Sequence, residues 1–88
     1  MNITDYAKII NAHIRVGYNA ELHNGVWQAR FEHCEVMQNG FLVGEWGSGR
    51  TPDSAIKNYA AAIAGKRIVF NAYDDRREFI VPDDLTHG

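Results

Sequence analysis

Gly47-Ser48-Gly49-Arg50-Thr51-Pro52, running into Asp53 to Ala64, organises the chain. Thr51 is a favourable N-cap, because its hydroxyl accepts from a free amide one turn on. Pro52 takes the first helical position, where its missing N–H costs nothing. Asp53 sets a carboxylate at the positive end of the helix dipole, and Gly65 closes the other end. The predicted helix covers 51–65. Its stripe is Ile56, Ala60 and Ile63, flanked by Ala55, Tyr59 and Ala64, with Lys57 and Asn58 facing outward or toward the glycine turn. Upstream, Gly47 and Gly49 let the backbone turn tightly and lie close to a partner. A glycine-rich turn that carries Arg50 into a helix N-terminus is also an expected anion site.

Working back from this turn, two Asn-Gly pairs, Asn24-Gly25 and Asn39-Gly40, separate strand-like runs. Both residues of such a turn take positive φ, which makes the dipeptide the strongest local hairpin signal. A two-residue first turn sets Leu22 opposite Trp27, Ala20 opposite Ala29 and Tyr18 opposite Phe31. The second sets Met37 opposite Leu42 and His33 opposite Trp46. The alternation then gives one shared buried face over 16–47, a three-stranded meander. On its other face Glu21, Gln28, Arg30 and Glu32 are polar, whereas Val36, Phe41 and Val43 form an apolar patch, read as a self-association interface. Residues 1–15 carry Ile3, Ala7, Ile10 and Ile14 at helical spacing, with Thr4 or Asn2 as cap.

Beyond the central helix, 67–73 and 77–81 alternate as strands around Asp74-Asp75-Arg76, and Pro82 stops the second. These make a C-terminal hairpin over 66–82, leaving 83–88 as a frayed tail. The order defines an α+β fold: a short N-terminal helix, an antiparallel three-stranded meander, one main helix on the sheet face and a C-terminal β-hairpin.

The 88 residues allow one domain, with a core modest enough that oligomerisation is a natural supplement. Net charge is −2, and six arginines outnumber three lysines. This balance argues against a broad nucleic-acid footprint but suits a small anion, since arginine reads phosphate bidentately. Cys34 stands alone, which excludes an internal disulfide and a cysteine zinc cluster and fits a reduced, cytosolic setting. The N-terminus lacks the pattern of a signal peptide, and no apolar run reaches membrane-spanning length.

His13, His23, His33 and His87 lack metal-site spacing, and Cys34 sits between Glu32 and Glu35, which disfavour a thiolate. No nucleophile elbow, P-loop or dinucleotide fingerprint is present. Neither an enzyme nor a cofactor is expected. The remaining chemistry is a set of cations: if the C-terminal hairpin reaches the glycine turn, Arg50, Arg76 and Arg77 converge with the Ser48 and Thr51 hydroxyls, and Trp46 and Tyr59 stand ready to stack on a base.

The segments Gly47-Ser-Gly-Arg-Thr-Pro, Ala55-Ile-Lys-Asn-Tyr-Ala, Ile63-Ala-Gly-Lys-Arg-Ile-Val-Phe-Asn-Ala and Arg76-Arg-Glu-Phe-Ile-Val-Pro together resemble small phage-encoded anti-defence proteins. Among these, residues 44–82 look like the anti-Thoeris sponge family, whose members sequester the cyclic ADP-ribose signal of bacterial TIR-domain defence enzymes. The resemblance implies a protein of the host bacterial cytoplasm. It also implies a homo-oligomer with pockets between subunits, arginines on the phosphates and stacking around the adenine. Arg76 or Arg77 would then hold phosphate, Asn58 would touch the ligand from the helix, and Arg50 would assist.

Two other readings compete. An inhibitor acting by direct protein contact with a host defence protein, of the anti-CRISPR type, would use Val36, Phe41 and Val43. A double-stranded-RNA-binding or antitoxin-like module fits the strand–strand–strand–helix order. However, Lys57 is the only basic residue of the main helix, where phosphate reading wants several.

Overall fold

The computed structural model describes residues 1–87, and the chain is α+β. Helix α1 spans Ile3–Ile9 and strand β1 spans Ile14–Asn19. After a short 3-10 turn come β2 (Val26–Phe31), β3 (Cys34–Gln38), β4 (Phe41–Val43) and β5 (Gly47–Gly49). Helix α2 (Pro52–Ile63) and strands β6 (Arg67–Phe70) and β7 (Arg77–Ile80) complete the order. The strands form two antiparallel sheets, β1-β2-β5 and β4-β3-β6-β7. One core takes Ile3, Tyr6 and Ile10 from the N-terminal segment, Ala29 and Phe31 from β2, Val36 from β3, Tyr59 and Ile63 from α2, and Ile68 and Phe70 from β6. Each large side chain buried this way contributes about 1.5–3 kcal/mol of transfer free energy. Among the described residues no helix is long and apolar enough to cross a membrane.

Helix α2 starts as its local signals dictate. The Thr51 hydroxyl accepts from the Ser54 amide at 3.1 Å, and the Thr51 amide donates to the Ser54 hydroxyl at 3.0 Å, a reciprocal capping box. The second Asn-Gly turn is a true two-residue hairpin. Asn39 and Gly40 both take positive φ, and Met37 faces Leu42 as the pairing arithmetic requires. Hairpin β6–β7 also stands where alternation puts it.

Four expectations are corrected. The N-terminal helix ends at Ile9 instead of continuing to residue 15. Asn11 turns the chain with φ 55°, and Ile14 opens β1. At the first Asn-Gly pair the connection is longer than two residues, because the Asn19 side chain accepts from the Glu21 and Leu22 amides and ends β1 early. Tyr18 therefore faces Trp27, and Ile14 faces Phe31. This offset of four residues is even, so the same side of the sheet stays buried.

The third correction concerns residues 26–38, read as one strand. They break at Glu32–His33, where His33 takes φ 57°. The break inverts the alternation: Cys34 and Val36 now point inward, and β3 leaves its neighbour for a second sheet with β6. The third strand beside β2 is β5, and His33 does not pair with Trp46. The fourth is the tail. Leu85 is buried, the Ile3 amide donates to the Thr86 carbonyl at 2.7 Å, and the Thr86 amide donates to the Met1 carbonyl at 2.8 Å. Both ends of the described chain are thus tied together; Gly88 lies outside the described residues.

Candidate functional site

Much of the glycine turn proves to be architectural. Gly47 pairs with Ala29 and Gly49 with Trp27, which sets both glycines on the sheet face that carries α2. A Cβ on Gly47 would overlap the Ala55 carbonyl oxygen and the Tyr59 amide, and one on Gly49 would overlap the Ser54 hydroxyl. The glycines let a helix lie directly on a strand, and no phosphate loop is formed. Asn58 Nδ2 donates to the Ser48 carbonyl at 2.6 Å and straps the same helix to the same strand.

The expected convergence does not assemble within the chain. Thr51 is committed to its capping box. Tyr59 is 1% exposed, edge-on to Phe31, and its hydroxyl lies against the Cys34 thiol, so it is no stacking platform. Arg76 donates to Glu78 at 2.9 Å. Arg77 donates to the Ile10 carbonyl at 2.8 Å and stacks over Phe70 and Phe79, which turns it toward the N-terminal segment. Arg50 is exposed and shares no cleft with either arginine. The interface triad divides as well: Val36 is core, whereas Phe41 is 73% exposed and Val43 lies on the same edge strand.

Trp46 is the one expected site residue that meets unclaimed cations. The outward face of sheet β1-β2-β5 is made by Arg15 opposite Arg30 and by Gly17 opposite Gln28, with Ser48 beyond Gln28. The Arg30 guanidinium lies 4.6 Å from the centroid of the half-exposed Trp46 ring. Its Nε and Nη2 donate to the Phe31 and Cys34 carbonyls, at 3.4 and 3.3 Å, across the β2–β3 turn, which leaves Nη1 for a further acceptor. Arg15 has only a loose contact with Glu32, at 4.0 Å. Two clefts meet at these residues. One, of about 370 Å³, is lined by Arg15, Arg30, Glu32, His33 and Trp46. The other, of about 500 Å³, runs from Arg15 and Trp46 over Gly17 and Gln28 to Asn19. Nothing lies within 4 Å of where a Gly17 Cβ would stand, so its floor is open.

Arg30 and Gln28 were legible as polar-face residues of β2. Arg15 was hidden by its assignment to the first helix, and only the observed register reveals the arginine pair. The arrangement can clamp an anion between two guanidinium groups while an indole offers stacking surface beside it. Arg76 and Arg67 both donate to Glu78, at 2.9 and 3.2 Å, so those two cations are occupied, and they hold its carboxyl below the ordinary carboxylate range. Comparison with known protein families, curated proteins and solved structures finds no match to this chain.

Proposed function

We propose that this protein binds and holds, without transforming, a nucleotide signal of the cyclic ADP-ribose type, and so acts as a phage-encoded sponge against a bacterial defence pathway. The observation that carries the reading is the Arg30 guanidinium stacked at 4.6 Å over Trp46 and directly opposite Arg15. An anion with an attached planar ring uses all three side chains at once. The resemblance over residues 44–82 selects the ligand class and adds a homo-oligomer. The site differs from the one expected at Arg50, Arg76 and Arg77, whose side chains do not converge within one chain.

Titration calorimetry against cyclic ADP-ribose isomers and cyclic dinucleotides, with light scattering on the same sample, tests this reading. Saturable binding to a member of the panel, lost in Trp46→Ala and Arg15→Ala, is the expected result. Silence across the panel refutes it.

A second reading has its own observation: Phe41, 73% exposed beside Val43 on the edge strand β4, fits an inhibitor that contacts a host protein. A stoichiometric host partner lost on Phe41→Glu, together with silence in the calorimeter, would decide for it.

A further inference from the structure

The cleft beside Arg15 and Trp46 also holds a side-chain amide whose direction the fold has fixed. Gln28 lies on the outward face of β2, opposite Gly17, and lines the same cleft as Arg15 and Trp46. Gly17 brings no side chain to the cross-strand position, so the polar neighbour of Gln28 is the diagonal residue Asn19. The Asn19 side-chain oxygen is already committed. It accepts from the Glu21 and Leu22 backbone amides, at 3.1 and 3.3 Å, where β1 ends. Its Nδ2 is left to face Gln28, and a nitrogen that only donates requires an oxygen opposite. Asn19 Nδ2 accordingly donates to Gln28 Oε1 at 3.4 Å, and among the described residues Gln28 Nε2 has no partner. Two backbone amides thus dictate, through one asparagine, that Gln28 turns its oxygen to Asn19 and keeps its N–H donors free.

We infer that Gln28 reads the edge of the ring stacked at Trp46 and selects a carbonyl there over an amino group; the inference rests on the nucleotide reading above. A glutamine that reads adenine bidentately presents its carbonyl and amino ends side by side, and here the carbonyl end is taken. The free Nε2 pairs with an oxo group, whereas an amino group would meet it donor to donor. The cations beside it, Arg15 and Arg30 through Nη1, are donors as well. Glu21, in the turn beyond Asn19, is the one carboxylate lining this cleft. Gln28 is therefore the residue that determines specificity, and Asn19 is a positioning residue that acts through it.

Calorimetry with two pairs of compounds that differ at purine position 6, amino against oxo, tests the assignment. The pairs are cyclic ADP-ribose with cyclic inosine diphosphate-ribose, and 3′,5′-cyclic diadenylate with 3′,5′-cyclic di-inosinate. Wild type is expected to prefer the oxo member of the pair it binds by roughly fivefold, the scale of one neutral hydrogen bond. Gln28→Ala should erase that preference. Asn19→Asp keeps an acceptor for both backbone amides but sets a second oxygen against Gln28, so the glutamine amide reverses and the preference should pass to the amino member. A purely structural Asn19 would change both affinities alike. Glu21→Gln should leave the ratio as in wild type. Circular dichroism checks folding, and Gln28→Ala, on an outward strand face, decides the matter if Asn19→Asp does not fold. If wild type binds without preferring the oxo member, if the ratio survives Gln28→Ala, or if it shifts in Glu21→Gln, the reading by Gln28 falls while the nucleotide proposal stands. If wild type binds neither pair, both fall together.

Discussion

Arg15 and Arg30 stand directly opposite each other across the β1–β2 ladder, on the sheet face away from α2. Like charges in that position are unfavourable by a few tenths to about 1 kcal/mol. Arg30 is partly compensated by Trp46 and two carbonyls, whereas Arg15 has only Glu32 at 4.0 Å. Without an anion the arrangement opposes folding slightly, and an anion between the two relieves it. Arg15→Thr should therefore raise the stability of the free protein by about 0.5 kcal/mol, since it removes repulsion and adds a good strand residue. It should also abolish nucleotide binding. Urea unfolding with and without ligand measures both effects.

Gly17 offers a test that does not touch a charge. Its Cβ position is empty and its backbone is ordinary strand, so Gly17→Val should leave stability unchanged or raise it by about 0.5–1 kcal/mol. The new side chain fills the floor between Arg15, Gln28 and Trp46. Calorimetry should then show binding lost in a protein that melts no lower than wild type.

Gly47 behaves oppositely. Gly47→Ala forces a methyl group into the α2 backbone at Ala55 and Tyr59 and should cost about 2–3 kcal/mol. Gly44→Ala, with open space around its Cβ, is the matched control and should be near neutral. A small midpoint shift for Gly47→Ala in chemical denaturation would contradict the packing of α2 on β5.

Arg77→Ala removes the bond to the Ile10 carbonyl and the stacking on Phe70 and Phe79. The expected cost is about 1 kcal/mol, discounted for exposure, with nucleotide affinity unaltered. Arg50→Ala should leave both stability and affinity unaltered. Loss of binding in folded Arg50→Ala would return the site to the glycine turn, and loss in folded Arg77→Ala would move it to the end of the C-terminal hairpin beside Ile10.

Burial pushes the Cys34 thiol up to about 11 and raises the Tyr59 hydroxyl above its ordinary range as well. Both groups keep their protons to a higher pH folded than unfolded. The stability tied to the Cys34 thiol is complete below its ordinary value near 9 and is lost as pH rises through about 11, while that tied to the Tyr59 hydroxyl begins to be lost only above its ordinary value near 10 and continues beyond that window. Unfolding midpoints should fall steadily over that window. Cys34→Ala should soften the slope, with Tyr59 accounting for the rest. At neutral pH the thiol, 2% exposed, should react with an aromatic disulfide reagent only as fast as the chain unfolds.

What the chain alone determined were the features whose causes lie within a few residues. These include the Thr51 cap and Pro52 start of α2, the Asn39-Gly40 hairpin, the β6–β7 alternation, and the pairing of Trp27, Ala29 and Phe31 on one buried face. Each follows from backbone preference or from side-chain period, which operate locally. Tertiary structure decided three things that no local signal carries. The Glu32–His33 break required a non-glycine residue at positive φ, held there because it lets Cys34 and Val36 join the core. The close approach of α2 to β5 turned a loop-like Gly-Ser-Gly into a strand. The register of β1 brought Arg15 to Arg30 and Trp46. Strand partners and sheet faces are chosen by which burial arrangement closes the whole core, and that choice depends on side chains distant in sequence.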